Sequence, residues 1–249
     1  MTVALVTGAG TGIGASVAKK LAAEGAAVVV TDIDGDAARA TAEAIGQAAM
    51  GFRLDVSNEA EWAIAVAEAE RSFGRIDMLI GNAALTAQEV MAEDLGVLDL
   101  GMAEWDRVIG VNLRGNVLGC RAVLPAMLVA GSGSITLTSS ILGARAGRAR
   151  SAYSVSKAGI DALVRSVAAT YGGQGIRCNA VAPGFIATEA LRATASDRIG
   201  TLAQASALGR LASPDEIAAV IAFIASDAAS YLTGQTVTVD GGVVSQLGI

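Results

Sequence analysis

A glycine-rich turn near the start of the chain limits its possible folds more than any other segment. Residues 2–6 are apolar, residues 7–14 carry four glycines in the pattern T-G-x-x-x-G-x-G, and residues 15–21 have a helical pattern. Glycines permit a tight turn and a close approach of backbone to phosphate, and the N–H groups that begin a helix attract a pyrophosphate. A helix entry that only needs flexible residues is the alternative. The order of strand, turn and helix favours dinucleotide binding, although the glycine spacing is not that of the common fingerprint.

A second predicted strand ends in a carboxylate. Residues 26–31 are apolar and partly β-branched, and Asp32 follows them. In dinucleotide-binding folds, a carboxylate about 20 residues beyond the glycine turn accepts hydrogen bonds from the adenosine ribose. Its charge would repel a 2′-phosphate, and neither Thr11 nor Ile33 supplies the cation that a phosphorylated cofactor needs. The sequence therefore predicts NAD in preference to NADP.

Strand-like and helix-like segments alternate along the chain. The strands are apolar without alternation, which is typical of a parallel sheet covered by helices on both faces. No proline-rich or charged linker divides the 249 residues, so we expect one domain over residues 1–249. Strands are predicted at residues 2–7, 26–31, 51–54, 76–80, 134–138, 176–181 and 236–239, with helices between them.

Tyr153 and Lys157 stand four positions apart in a segment predicted to be helical. Residues at i and i+4 share one face of a helix, so we expect the ammonium group beside the phenol. A tyrosine pKa is ordinarily about 10, and a nearby positive charge lowers it toward the range in which a phenolate acts as a base. Alone, this spacing is equally consistent with an ordinary solvated helix.

Together these motifs resemble the short-chain dehydrogenase/reductase family, in its branch of about 250 residues with a Y-x-x-x-K motif. The resemblance covers nearly the whole chain and implies a Rossmann-type doubly wound sheet with strand order 3-2-1-4-5-6-7. The alanine-rich, mostly helical residues 184–208 are expected to close over the site. The catalytic residues that the resemblance implies are Asn112, Ser140, Tyr153 and Lys157. The cofactor-binding residues that it implies are Gly8, Thr11, Gly12, Ile13, Gly14, Asp32, Ile33, Asp55, Val56, Asn82, Ala83, Ala84, Tyr153, Lys157, Pro183, Gly184, Ile186 and Thr188.

The resemblance also implies a mechanism. Tyr153 takes the proton of a substrate hydroxyl while hydride leaves its carbon for the nicotinamide, and Ser140 holds the same oxygen. Lys157 lowers the tyrosine pKa and binds the nicotinamide ribose, and Asn112 holds a water that relays the proton toward solvent. Without this context, Ser140 is as consistent with a strand-end cap, and Asn112 with a polar residue inside a helix.

The segment Gly81-Asn82-Ala83-Ala84 departs from the N-N-A-G that the family usually carries after its fourth strand. If the last glycine of that motif adopts a backbone conformation that is costly for alanine, the loop has to shift at Ala84. Because alanine adds a single methyl group, we expect the loop to tolerate the change. The property at stake is the affinity for the cofactor.

Composition argues against other classes of function. A net charge of −6 without a basic tract gives no electrostatic attraction to nucleic acid or to an anionic membrane. With no histidine, and with Cys120 and Cys178 in a predicted helix and strand, neither zinc-dependent alcohol oxidation nor a serine–histidine hydrolase fits, and no metal is expected.

The apolar residues 122–144 are not expected to span a membrane, because Pro125 and residues 131–134 divide them into a helix end, a turn and a strand. We expect a cytoplasmic protein without a signal peptide.

The substrate and the assembly are constrained more loosely. Apolar residues over the site favour a hydrophobic secondary alcohol or ketone; these are Phe185, Ile186, Leu191, Ile199 and Leu202. Arg145, Arg148 or Arg150 could bind an acidic group of the substrate, or they could be solvated or paired at a subunit contact.

The family resemblance implies a homotetramer. The alternative function is a catalytically silent NAD-binding sensor or scaffold, although such a protein would be expected to lose the tyrosine or the lysine.

Overall fold

A computed structural model describes residues 1–86, 94–145, 147, 149–194 and 196–245, with the backbone alone at 190, 194 and 196. Its sheet has seven parallel strands in the order β3-β2-β1-β4-β5-β6-β7. The strands are β1 (Val3–Thr7), β2 (Ala27–Asp32), β3 (Ala49–Arg53), β4 (Met78–Gly81), β5 (Gly133–Thr138), β6 (Ile176–Pro183) and β7 (Thr236–Val239). The predicted fold class and strand order are confirmed.

Helices connect the strands. They are α1 (Gly12–Ala23), α2 (Gly35–Ile45), α3 (Glu59–Phe73), α4 (Met102–Ile109), α5 (Gly115–Ala130), α6 (Ile141–Ala144), α7 (Ser151–Tyr171), α8 (Glu189–Thr194), α9 (Ile199–Gln204) and α10 (Pro214–Ala225). One turn of π-helix, Gly110–Arg114, joins α4 to α5. Short 3₁₀ segments lie at Gly172–Gln174, Ser196–Arg198, Asp227–Ala229 and Val243–Ser245.

The sheet separates two hydrophobic cores, because successive side chains of a strand point to opposite faces. In β1, Val3 and Leu5 belong to one core, and Ala4 and Val6 belong to the other. The first core takes its helical partners from α3, α5 and α7, including Trp62, Leu118, Ile160 and Val164. The second takes them from α1, α2 and α10, including Val17, Leu21, Ala38, Ile217 and Ile221. Burial on both faces explains why the strands lack alternation.

Some element boundaries differ from the predicted ones. β4 begins at Met78, not at residue 76; the side chain of Asp77, just before it, accepts a hydrogen bond from Val3 N at 2.9 Å at the start of β1. β6 continues to Pro183, which pairs with Val239 of β7. Residues 122–144 divide as predicted into a helix end, a turn and a strand: α5 contains Pro125 and ends at Ala130, Gly131 follows in the left-handed conformation with φ +66°, and β5 begins at Gly133.

One continuous helical stretch of the described residues, Met102–Ala130, is long and apolar enough to cross a membrane by length and composition. Its most apolar window has a mean hydropathy of 1.3, and 44% of that window is buried inside the fold. Because core helices of soluble proteins satisfy the same criterion, this is weak evidence for a membrane span.

The carboxyl ends of the central strands gather the candidate site at one edge of the sheet. Strand order reverses between β1, whose other neighbour is β2, and β4, whose other neighbour is β5. In open parallel sheets, ligands bind in the crevice that such a reversal opens. The glycine turn follows β1, Asn82 follows β4, and Ser140 follows β5. The topology therefore brings together sequence motifs that lie far apart in the chain.

Candidate active site

The glycine turn after β1 has a backbone that only small residues allow. Gly8 and Gly12 have φ +60° and +57°. A Cβ atom on Gly8 would lie 2.7 Å from the Cα atom of Ala83, and one on Gly14 would lie 2.1 Å from the carbonyl oxygen of Gly8. The helix α1 begins at Gly12, and Thr11 gives it no side-chain cap. The first N–H groups of α1 are thus suited to a phosphate, and the turn fits the predicted dinucleotide.

Asp32 lies directly against this turn. Its Oδ2 accepts a hydrogen bond from Gly10 N at 2.9 Å, and its Oδ1 accepts one from Asp34 N at 3.1 Å. Thr41 also binds the turn, through Oγ1 to the carbonyl oxygen of Gly10 at 3.0 Å. Each carboxylate oxygen has a second lone pair for a ligand hydroxyl. Ile33, beside it, is 58% exposed.

The pair Asp55 and Val56 follows β3, next to Asp32 across the β2–β3 pairing. Asp55 Oδ1 accepts hydrogen bonds from Ser57 N at 2.9 Å and from Ser57 Oγ at 2.7 Å. The carbonyl oxygen of Val56 accepts one from Trp62 Nε1 at 2.9 Å, and Asp55 N donates to Glu61 Oε2 at 2.8 Å. These bonds fix the loop at the adenosine side of the site that the resemblance implies.

The loop after β4 is tied to the glycine turn. Thr7 Oγ1 accepts hydrogen bonds from Asn82 N at 3.0 Å and from Ala83 N at 3.1 Å. The side chain of Asn82 donates to the carbonyl oxygen of Gly8 at 3.0 Å and accepts from Thr138 Oγ1 at 3.3 Å. A single asparagine thus links the ends of β1, β4 and β5.

The departure from the family's N-N-A-G motif at Gly81 and Ala84 is accommodated without backbone strain. Among the described non-glycine residues, positive φ angles occur at Ala149 and Arg150, so Ala84 avoids the left-handed region. A Cβ atom on Gly81 would lie 2.1 Å from Asn116 Oδ1. The glycine therefore leaves space that Asn116 fills.

Tyr153 and Lys157 lie on α7, with the lysine Nζ 5.5 Å from the centre of the tyrosine ring. Lys157 is 2% exposed and donates from Nζ to the carbonyl oxygen of Thr138 at 2.8 Å. Burial lowers the pKa of Lys157 to about 8, against a smaller opposing effect of Asp161. The ammonium group is thus close to the phenol, as predicted. The Thr138 contact could not be predicted from the sequence, because the acceptor is a backbone carbonyl.

Two serines at the end of β5 connect this strand to the catalytic region. Ser140 Oγ accepts a hydrogen bond from Leu142 N at 3.2 Å, so it caps the short helix α6, and this bond does not use its O–H donor. Ser139 Oγ donates to the carbonyl oxygen of Lys157 at 3.2 Å. Ser140 therefore satisfies the cap interpretation and retains a hydroxyl proton that can bind a substrate oxygen.

Asn112 is fully buried in the π-helical turn. Its Oδ1 accepts a hydrogen bond from Leu85 N at 2.8 Å, and its Nδ2 donates to the carbonyl oxygen of Leu85 at 3.1 Å and to Ser156 Oγ at 3.2 Å. Ser156 Oγ in turn donates to the carbonyl oxygen of Tyr153 at 2.7 Å. The asparagine thus joins the loop after β4 to the helix of Tyr153, and its predicted water relay stays a prediction.

The segment after β6 crosses the glycine turn. A Cβ atom on Gly184 would lie 2.8 Å from the Cα atom of Asp240, so residue 184 must be small. Thr188 approaches the turn, with its Cγ2 3.7 Å from the position that a Cβ atom on Gly12 would take. Ile186 and Leu191 are 8% and 4% exposed, so part of the predicted apolar cover is buried within the fold.

The three predicted arginines have different surroundings. Arg145 is exposed, and its Nη2 donates to the carbonyl oxygen of Val244 at 3.4 Å. Arg148 lies outside the described residues. Arg150 is partly buried, with φ +68°; burial lowers the pKa of its guanidinium, the positive charge of Arg198 lowers it further, and Asp94 and Tyr153 oppose both effects. Of the two described arginines, Arg150 is the one that interacts electrostatically with Tyr153.

The cysteines are poor candidates for reactive groups. Cys120 and Cys178 are both buried and reduced. Burial raises the pKa of Cys120 to about 12 and raises the pKa of Cys178 as well, so neither forms a thiolate at neutral pH. Within the described residues, no group of three or more histidine, cysteine, aspartate or glutamate side chains could hold a metal ion.

Comparisons with known proteins agree with this geometry. A family model described as enoyl-(acyl carrier protein) reductase matches residues 8–244. The chain is 44% identical over 243 residues to cis-4-hydroxycyclohexanecarboxylate dehydrogenase of Sinomonas cyclohexanicum, covering 96% of this chain and 95% of that protein. It is 38% identical over 246 residues to 3-alpha-(or 20-beta)-hydroxysteroid dehydrogenase of Mycobacterium tuberculosis, with coverages of 98% and 90%. The crystal structure of gox2181 superposes with a TM-score of 0.92 at 33% identity, covering 98% and 96% of the two chains.

The parallel sheet, the glycine turn and the tyrosine–lysine pair define a nicotinamide-dependent oxidoreductase fold. The chain belongs to the short-chain dehydrogenase/reductase family. Its relatives include dehydrogenases and reductases that act on alcohol or ketone groups, and the family binds NAD or NADP.

Proposed function

We propose that this protein is an NAD-dependent dehydrogenase/reductase that interconverts a secondary alcohol and a ketone. The observation that carries the proposal is the placement of the Lys157 ammonium 5.5 Å from the Tyr153 ring, on a helix that Ser139 ties to the end of β5, directly before Ser140. We infer one catalytic domain over residues 1–249, in a cytoplasmic homotetramer.

Each catalytic residue has a distinct task in the proposed reaction. Tyr153, as phenolate, accepts the proton of the substrate hydroxyl, and the Ser140 O–H donates a hydrogen bond to the same oxygen. The positive charge of Lys157 favours the phenolate, and the Thr138 carbonyl holds that charge in place. The bound nicotinamide supplies the hydride acceptor. In the reducing direction Tyr153 returns the proton to the carbonyl oxygen.

The first experiment is a turnover assay. Purified protein is mixed with NAD or NADP and with hydrophobic, acidic and polyol secondary alcohols, and formation of reduced nicotinamide is followed by its near-ultraviolet absorbance. Reduction of NAD by one class of alcohol supports the proposal. Saturable NAD binding without turnover on any substrate would favour the silent sensor or scaffold, and absence of both binding and turnover would contradict both functions.

The preference for NAD is proposed from Asp32, whose carboxylate is held against the glycine turn. For Asp32→Asn, we expect the ratio of kcat/KM with NAD to kcat/KM with NADP to fall about tenfold or more, because the variant removes the charge that repels a 2′-phosphate. The shape of the side chain is preserved. Asp36→Asn is the matched control, since that exposed carboxylate lies in the first turn of α2 and pairs with Arg39. An unchanged ratio in Asp32→Asn would contradict the assignment.

A carboxylated alicyclic alcohol is the substrate class that we propose. The relative from Sinomonas is named for a substrate that carries a secondary hydroxyl and a carboxylate on a cyclohexane ring. Arg150 supports the same chemistry here, because its guanidinium is partly buried and lies within electrostatic range of Tyr153. A guanidinium forms strong paired hydrogen bonds with a carboxylate.

For Arg150→Asn, we expect KM for a hydroxycyclohexanecarboxylate to rise about tenfold or more, while KM for cyclohexanol changes by less than about twofold. Asparagine is chosen because it tolerates the left-handed backbone at this position. Arg145→Asn removes an exposed charge and serves as the control. Equal changes with the acidic and the neutral alcohol would show that Arg150 does not bind the carboxylate.

A further inference from the structure

The start of α7, the helix of Tyr153 and Lys157, has no local cap. Ala149 and Arg150 precede it with φ +59° and +68°, and no side chain at the N-cap position bonds to the helix. The first N–H groups of any α-helix have no partner within the helix. Where such groups are buried, leaving them unpaired costs free energy, so this helix start needs acceptors from elsewhere in the fold.

Two residues of the loop after β4 supply these acceptors. Asp94 Oδ1 accepts from Ala152 N at 2.9 Å, its Oδ2 from Tyr153 N at 2.8 Å, and its carbonyl oxygen from Arg150 N at 2.8 Å. The carbonyl oxygen of Leu95 accepts from Ser151 Oγ at 3.0 Å. Four consecutive residues, 150–153, therefore donate to residues 94 and 95.

The Asp94 side chain is completely buried, with 0% exposure. A buried carboxylate is costly unless its oxygens are hydrogen-bonded. Here both oxygens accept backbone N–H groups at the positive end of a 21-residue helix, which offsets that cost. A residue chosen only to fill the core at this point would not need a charge.

Tyr153 is held from its other side as well. Its carbonyl oxygen accepts from Ser156 Oγ at 2.7 Å, and Ser156 Oγ accepts from Asn112 Nδ2 at 3.2 Å. The amide of Asn112 binds both backbone groups of Leu85. Both backbone polar groups of Tyr153 are therefore linked to the segment that follows β4, at Asp94 on the N–H side and at Leu85 on the C=O side.

We propose that Asp94 is a positioning residue for Tyr153, which fixes the height and direction of the phenol relative to the end of β5. The proposal rests on the proposed function, because it presumes that Tyr153 is the acid–base group. Asp94 acts through the backbone of Tyr153 and does not touch substrate. Since a misplacement of about 1 Å can reduce a rate by about a hundredfold, Asp94 controls the turnover rate by holding this helix start.

The test compares Asp94→Asn with wild type and with Asp99→Asn. Asparagine keeps the size of the side chain and one acceptor, but it loses the second acceptor and the charge. Asp99 is exposed on the same loop, so its variant makes the same charge change away from α7. For Asp94→Asn we expect kcat to fall about tenfold to a hundredfold, with KM for NAD and for the alcohol within about twofold of wild type. Amide hydrogen exchange should accelerate in a peptide covering residues 150–157 and stay unchanged in Asp99→Asn.

Faster exchange at residues 150–157 with an unchanged kcat would make Asp94 a structural cap alone and would overturn the proposal. A rise in the KM values for both NAD and the alcohol in Asp94→Asn, at constant kcat, would also overturn the proposal. Asp94→Ala extends the series by removing both side-chain acceptors, and it should lower kcat further than Asp94→Asn does. Failure of the proposed function is distinguished from failure of this proposal by the wild-type protein alone. A wild type that binds NAD but turns over no alcohol would contradict the proposed function before any variant is compared.

Discussion

Tyr153→Phe is expected to lower kcat by about a thousandfold or more while leaving the protein folded and able to bind NAD. General acid–base catalysis by a positioned side chain contributes about 10²–10⁴ to a rate, and phenylalanine lacks the group that carries the proton. The ring of Tyr153 packs with Val108 and Ala152, and phenylalanine preserves that packing. The measurement is steady-state turnover of the alcohol found in the assay, together with an NAD binding titration.

Tyr171→Phe is the matched control for this prediction. Tyr171 ends the same helix and packs on the core through its ring, remote from Lys157 in the helix. Its variant removes one phenol from α7 and should keep wild-type kcat. If Tyr153→Phe retained more than about a tenth of the activity, a group other than Tyr153 would have to transfer the proton.

Lys157→Met is expected to abolish turnover and yet to raise the free energy of unfolding at pH 7 by about 1–2 kcal/mol. Burial lowers the pKa of Lys157 from 10.5 to about 8, so keeping the charge in the folded state costs about 3 kcal/mol below pH 8. Methionine has a similar length and no charge. The variant also loses the hydrogen bond to the Thr138 carbonyl, which lowers its free energy of unfolding by about 1–2 kcal/mol and offsets part of this stabilisation.

The pH dependence of this difference is distinctive. Between about pH 8 and pH 10.5 the unfolded chain binds a proton at Lys157 that the folded chain does not, so the stability of wild type increases with pH through that window, relative to Lys157→Met. The advantage of the variant should therefore be constant below pH 8 and disappear toward pH 10.5. Urea unfolding at one protein concentration measures it, and groups common to both proteins cancel. A wild type that is more stable than the variant at pH 7 would refute the buried-charge cost.

The sequence predicted the strands and the members of the candidate site because these depend on local patterns, whereas the strand order was implied by the family resemblance. The apolar strands, the glycine turn and the i, i+4 spacing of Tyr153 and Lys157 each reflect a backbone or packing requirement that a short segment satisfies by itself. Their meeting at one edge followed from the parallel topology that the family resemblance implied. The structure brings the predicted lysine and tyrosine together at the distance that a helix gives them.

What the sequence could not predict depends on contacts between distant backbone groups. The acceptor for Lys157 is the carbonyl oxygen of Thr138, and every residue carries a carbonyl. Asp94 is 59 positions from Tyr153, in a segment whose sequence has no regular pattern, so its bond to that helix left no signal. The π-helical turn that aims Asn112 at Leu85 also has no residue signature.

The close contact between Gly81 and Asn116 bears on variation at this position. An asparagine introduced at position 81, to restore the usual family motif, would place its Cβ atom 2.1 Å from Asn116 Oδ1 and 2.6 Å from Leu137 Cδ2. Both contacts are with the ends of side chains, so the substitution requires these two side chains to move. The cost of restoring the motif is therefore set by residues 116 and 137 as well as by residue 81.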